Sequence, residues 1–245
     1  MGEINLGFSS NCFPEKSAQE IVDLLNKESA KIVDLRIGKE QLWEKEGIGF
    51  FVKNAIEVVF IGTSIVIGDK FFTPDIIKKQ ISEYSHFDIK VVASTNCLEE
   101  ENLETTIRQI KTIKEVCFNR KIFVETHYGY ANISTLLELN KMFGINLLLD
   151  IMGFMKISTK PMEDLKLISH AIESIQIKGF DWNNPRESKH LPINYRSVYQ
   201  IEKCLNLIYI YNSKSIPITI ETKSTTFIED YKHIYKILDK RIKII

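Results

Sequence analysis

The strongest constraint on the fold is an alternation that runs the length of the chain. Short apolar, β-branched runs recur eight times: "INLGFS" (4–9), "KIVDLR" (31–36), "EVVFIG" (57–62), "DIKVVAS" (88–94), "KIFVET" (121–126), "INLLLD" (145–150), "IESIQIK" (172–178) and "IPITIE" (216–221). Runs of this kind suit strands covered on both faces, as in a parallel sheet. Longer amphipathic segments separate them. "SAQEIVDLLNKE" opens with Ser17 and has Glu20 three residues later, the pattern of a capping box. "TPDIIKKQISEY" places Thr73 before Pro74, a cap followed by a first-turn proline. "ISTLLELNKMFG" ends in Gly144, suited to the residue after a helix. "ENLETTIRQIKTIKEV" and "TTFIEDYKHIYKILDK" carry apolar residues at three- and four-residue steps.

Eight strand–helix units in 245 residues predict an α/β fold, a single (β/α)₈ TIM barrel spanning 1–245, since such barrels take about 250 residues. An open doubly wound sheet is the alternative, but no GxGxxG follows the first strand. No Pro/Gly/Ser-rich linker divides the chain.

Lys plus Arg and Asp plus Glu both number 32. With no basic excess, the composition points away from nucleic acid and anionic membrane surfaces. The longest apolar stretch, "VVFIGTSIVIG", is too short to span a bilayer. "MGEINLGFSSN" lacks the basic start and apolar run of a signal peptide. The four cysteines, Cys12, Cys97, Cys117 and Cys204, form no CxxC pair, which predicts reduced thiols and a cytoplasmic protein.

In a barrel, reactive groups sit at the C-terminal ends of strands. The fifth strand ends at Glu125, the sixth at Asp150, the seventh around Gln176 and Lys178, and the eighth at Glu221. Glu125 and Asp150 are 25 residues apart, Asp150 and Gln176 26, one βα unit each. The step to Glu221 is longer because "GFDWNNPRESKHLPINY" inserts a polar loop. Clustered carboxylates raise one another's pKa unless a cation intervenes. A hard divalent ion would relieve the conflict. Alternatively each carboxylate meets a lysine or arginine, with Arg36 and Lys178 as candidates. His127 follows Glu125 by two and falls on the same side of the strand, as a substrate contact or acid. Arg36 suits a phosphate or carboxylate. Arg186 and His190 lie in the long seventh loop as candidate substrate contacts. Trp43 and Trp182 could stack on a sugar ring. His86, His170 and His233 fall on helix surfaces.

Five stretches carry a resemblance to a known family. "VETHYG", "INLLLDIMGF", "IESIQIKGFDW" and "IPITIET" are similar to the fifth to eighth strands of the xylose-isomerase-like barrels, which include sugar-phosphate isomerases and epimerases, inosose dehydratases and endonuclease IV. "IEVVFIGTSIVIG" resembles the family's third strand. The resemblance implies a divalent metal, Mn²⁺ or Mg²⁺, held by Glu125, Asp150, Gln176 and Glu221. It implies an isomerase or epimerase of a small sugar-like polyhydroxy substrate, in which Glu125 and Glu221 pass a proton through an enediolate and Lys178 helps to neutralise its charge. Relatives are often homo-oligomers. The sequence departs from the family at three places: Gln176 stands where a metal-binding His is expected, Gly153 where many relatives place a His, and Gly179 where Asp follows the lysine. These departures point to a weaker, harder metal or to none. They leave as an alternative a degenerate barrel that binds a ligand or partner without catalysis. The nuclease branch, an AP endonuclease, needs many His ligands, and this chain has five His.

Overall fold

The computed structural model describes residues 4–212, 214–223 and 225–242. The expected range 1–245 therefore includes residues 1–3, 213, 224 and 243–245 that lie outside the described ones. Eight parallel strands close into a barrel in sequence order: β1 (Leu6–Ser9), β2 (Ile32–Arg36), β3 (Glu57–Ile67), β4 (Ile89–Ala93), β5 (Ile122–Glu125), β6 (Asn146–Asp150), β7 (Ile172–Ile177) and β8 (Ile218–Ile220). β8 pairs with β1 through Leu6↔Ile218 and Phe8↔Ile220, and this pairing completes the (β/α)₈ ring.

Ten α-helices are described: α1 (Ala18–Lys27), α2 (Trp43–Glu46), α3 (Gly49–Lys53), α4 (Pro74–Ile81), α5 (Glu100–Val116), α6 (Ile133–Phe143), α7 (Ile151–Ile157), α8 (Pro161–Ile168), α9 (Tyr195–Tyr211) and α10 (Phe227–Ile242). Their starts follow from local chemistry. Ser17 accepts from the Glu20 N–H while its own N–H donates to the Glu20 carboxylate at 2.9 Å, closing the capping box of α1. Thr73 caps α4 ahead of Pro74. α6 ends at Gly144 with φ +64°, left-handed backbone that glycine adopts without steric cost. β3 is longer than its apolar run predicts. It continues through Thr63–Ile67 because a register shift against β4 between Gly62 and Val66 re-aims the strand.

The barrel interior divides in two along its axis. Side chains alternate faces along a strand, so residues two apart share a side. At one end Ile32, Phe60, Phe123 and Leu148 pack with Val59 as a buried apolar plug. Two residues further along the same strands come Asp34, Gly62, Glu125 and Asp150. The apolar floor and the polar mouth are thus successive inward positions of the same staves. The larger core lies between the sheet and the surrounding helices. Among the described residues no helix is long and apolar enough to cross a membrane.

Candidate active site

The polar mouth opens into a cavity of about 960 Å³ whose wall includes Asp34, Lys90, Glu125, Gln176, Lys178 and Glu221. The seventh stave supplies its centre. Lys178, one residue past β7 and buried, places Nζ 2.9 Å from Asp150 Oδ2 and donates a hydrogen bond to Glu221 Oε2. Lys90, an inward residue of β4, reaches Glu125 Oε2 at 2.5 Å. The carboxylates of β5, β6 and β8 therefore do gather at one end of the barrel, and two ammonium groups stand among them.

The second oxygens of Asp150 and Glu221 are also engaged. Asp150 Oδ1 accepts from the Gly153 N–H at 3.1 Å and so caps α7. Glu221 Oε1 accepts from Asn11 Nδ2 at 2.7 Å. Asn11 Oδ1 accepts from Gln41 Nε2 at 3.0 Å, and Gln41 Oε1 accepts from Trp43 Nε1 at 2.6 Å. A chain of amides thus links a core tryptophan to Glu221. Gln176 turns its Nε2 to Asp34 Oδ2 at 3.0 Å, and Asp34 also accepts from Ser9 and Thr219.

These contacts set the charges. Burial opposes the Lys178 charge, but Asp150, Glu221 and Glu125 together hold its ammonium well above the ordinary lysine range. Burial pushes the Glu221 carboxyl up, and Lys178, His190 and Asn11 more than reverse this, bringing it down to about 2. Glu125 is likewise lowered against its burial, chiefly by Lys90 and Lys178. Burial raises Asp34 to about 6 despite its three donors. Burial and the Lys178 charge bring His190 down to about 4.

The implied metal set of Glu125, Asp150, Gln176 and Glu221 does not fit a divalent ion as these side chains stand. Lys178 and Lys90 already bond the Asp150, Glu221 and Glu125 oxygens that such an ion would need, Asn11 and the Gly153 amide hold the second oxygens of Glu221 and Asp150, and Gln176 offers only a neutral amide oxygen, its Nε2 being turned to Asp34. A +2 ion about 3 Å from an ammonium is repelled by on the order of 10 kcal/mol at an effective dielectric constant of about 20. Among the described residues, no group of three or more His, Cys, Asp or Glu side chains is arranged to hold a metal. The two glycines that depart from the family pattern are sealed by backbone. A Cβ on Gly153 would meet the Thr126 carbonyl oxygen at 2.0 Å, and one on Gly179 the Leu191 carbonyl oxygen at 2.3 Å. Neither position has room for a larger side chain as the backbone stands.

Other expected residues divide. His127 lines the cavity, with Nδ1 2.8 Å from the Tyr128 carbonyl oxygen and its ring edge-to-face with Tyr130. His190 lines it too, with Nδ1 3.3 Å from the Glu221 carbonyl oxygen. The antiparallel bridge Gly179↔Leu191 folds its loop back over the mouth. Arg36 lines the cavity and donates to the Thr63 carbonyl rather than to a carboxylate. Arg186 is exposed and lies outside the cavity wall, so the loop does not deliver it to the site. Trp43 is fully buried against Phe51, and Trp182 stacks on Phe180; neither presents a face to the cavity. His86, His170 and His233 are exposed.

Four site residues escaped the sequence reading: the amides of Asn11 and Gln41, which no pattern marks, and the charges of Lys90 and Asp34. Lys90 and Asp34 each interrupt an apolar strand with a charge, in "DIKVVAS" and "KIVDLR". That interruption is the available signal, since a charge inside a doubly covered strand must face the barrel interior or a partner.

No family model and no curated protein matches the chain. Solved structures do. A xylose isomerase domain containing protein from Salmonella typhimurium superposes with a TM-score of 0.75 at 12% identity, over 98% of this chain and 97% of the other. An L-ribulose 3-epimerase gives 0.68 at 11% identity, over 99% and 95%. The IOLI protein, solved with a binding zinc atom, gives 0.68 at 13% identity, over 96% of both chains.

Proposed function

We propose that this chain, a divergent barrel of the xylose-isomerase-like fold with an ammonium at the centre of its acidic mouth, is an enzyme that moves a proton on a small polyhydroxylated carbonyl compound. The observation that carries the reading is the placement of two glutamates and two lysines around one cavity at the C-terminal end of the strands. Glu125 and Glu221 sit three staves apart on the rim. Both are held low, so both are carboxylates at neutral pH and accept a proton.

One glutamate takes the proton from the carbon beside the carbonyl, the C–H electron pair forms a C=C bond, and the carbonyl π pair moves onto oxygen to give an enediolate. The Lys178 and Lys90 ammoniums face the charge that develops there. A proton is then returned from a water hydrogen-bonded to the second glutamate, while the first glutamate releases its own proton to solvent. Return to the opposite face of the same carbon inverts it; return to the neighbouring carbon exchanges aldose and ketose. The L-ribulose 3-epimerase among the structural neighbours supports the substrate class.

A second reading, a barrel that binds such a molecule without turning it over, is favoured by the same low carboxyl values. A carboxylate at about 2 is a weak base. Deuterium exchange separates the two. The protein is incubated with aldoses and ketoses, free and phosphorylated, in D₂O containing a chelator. Deuterium entering beside the carbonyl of one compound, and lost in Glu125→Gln and Glu221→Gln, is the expected result. A compound that binds without any exchange establishes the second reading.

A further inference from the structure

We propose that Lys178 is the resident cation of this site. Its ammonium occupies the point between Asp150 and Glu221 that a divalent ion would otherwise fill, so the protein folds and binds its ligand without one, and deleting the ammonium converts the mouth into a divalent-cation site. The inference concerns the charge balance of the pocket and not the reaction; a protein with no catalysis would behave identically in the test below.

Four observations carry it. Lys178 Nζ lies within hydrogen-bond reach of two carboxylates from the two strands flanking its own. All three side chains are buried, so the pairing is not a solvated surface contact. Lys90 is committed to Glu125 on the other side of the mouth, and the two lysines leave three carboxylates only one charge short of neutral. The backbone is closed around this arrangement. Gly153 and Gly179 admit no side chain, and Asp150 is fixed by the α7 amide, so the mouth is built around the lysine rather than left open by lost ligands. Removing Lys178 would leave Asp150, Glu221 and Glu125 buried with one ammonium, and oxygen-rich pockets of that charge bind Mn²⁺ or Mg²⁺.

The test is titration with MnCl₂ of the full chain, followed by calorimetry and by thermal melting. The wild type is expected to bind no Mn²⁺ at the millimolar level and to keep its melting temperature. Lys178→Ala and Lys178→Met are expected to melt lower than the wild type without metal. Each is expected to bind about one Mn²⁺ per chain and to regain about 5–10 °C at a hundredfold excess over its Kd. Restoring a ligand in Lys178→Ala/Gln176→His is expected to tighten binding at least tenfold. One tightly bound Mn²⁺ per wild-type chain overturns the proposal. So does a folded Lys178 variant that ignores Mn²⁺. Where neither variant folds, the wild-type titration alone decides between the two.

Discussion

Lys178 Nζ stands 2.9 Å from Asp150 Oδ2, and both side chains are almost entirely withdrawn from water. A charge pair in that setting contributes little net stability over an apolar pair of the same volume, but removing one member is costly because the other is stranded. The consequences extend through the mouth and into the core behind it.

The Lys90–Glu125 pair is expected to show that asymmetry. Lys90→Met leaves the Glu125 carboxylate buried beside Lys178 alone and should cost about 3–5 kcal/mol. Lys90→Met/Glu125→Leu removes both charges and should recover most of that loss. Urea denaturation of the two variants measures the difference.

The amide chain from Trp43 to Glu221 makes a coupled unit. Gln41→Leu leaves the Trp43 N–H unpaired in the core and should cost about 1–3 kcal/mol. Trp43→Phe deletes that N–H, so adding it to Gln41→Leu should cost less than the two single losses together. A double-mutant cycle on unfolding free energy reads the coupling.

Gly153 and Gly179 are expected to be intolerant. The Cβ of Gly153→Ala would meet a carbonyl oxygen at 2.0 Å, and the backbone of α7 or of the β5 end must move to admit it. Each alanine substitution should destabilise by about 1–3 kcal/mol or more, measured by thermal melting.

Acid should weaken the protein mainly below pH 4.5, with two opposed contributions above that. His190 moves from an ordinary 6.5 to about 4, so between these values the unfolded chain binds more protons than the folded one and stability falls as pH drops. Glu221 moves from 4.5 to about 2, and stability falls again across that lower window. Asp34, raised from 3.8 to about 6, acts in the opposite direction across nearly the same window and offsets most of the His190 effect. His190→Asn should leave the Asp34 contribution unopposed, so that stability rises as pH drops from about 6 to 4, and should leave the lower decline unchanged. Urea midpoints measured across the pH range follow both.

Much of this was legible in the residues. The eight apolar runs, the capping box at Ser17 and the proline start at Pro74 are local signals, and the barrel they predict closes as expected. The rim positions of Glu125, Asp150 and Glu221 follow from strand ends, which periodicity locates well. What the lysines do was not legible. A lysine side chain reaches several ångströms, and strand parity says which face it leaves from but not which carboxylate it meets. Arg36, the other candidate partner, bonds a backbone carbonyl, while Lys90 takes Glu125. Trp43, a candidate sugar-ring platform in the sequence, is instead buried against Phe51 with its N–H on Gln41, contacts that the sequence does not show. The closeness of backbone at Gly153 and Gly179 is a tertiary fact that a single glycine letter does not reveal.

The most direct measurement is anomalous diffraction from crystals of the wild-type protein soaked in Mn²⁺. The account predicts no anomalous peak among Glu125, Asp150 and Glu221, with the Lys178 ammonium seen between the last two. A manganese peak at that point, with Lys178 turned aside, would contradict it.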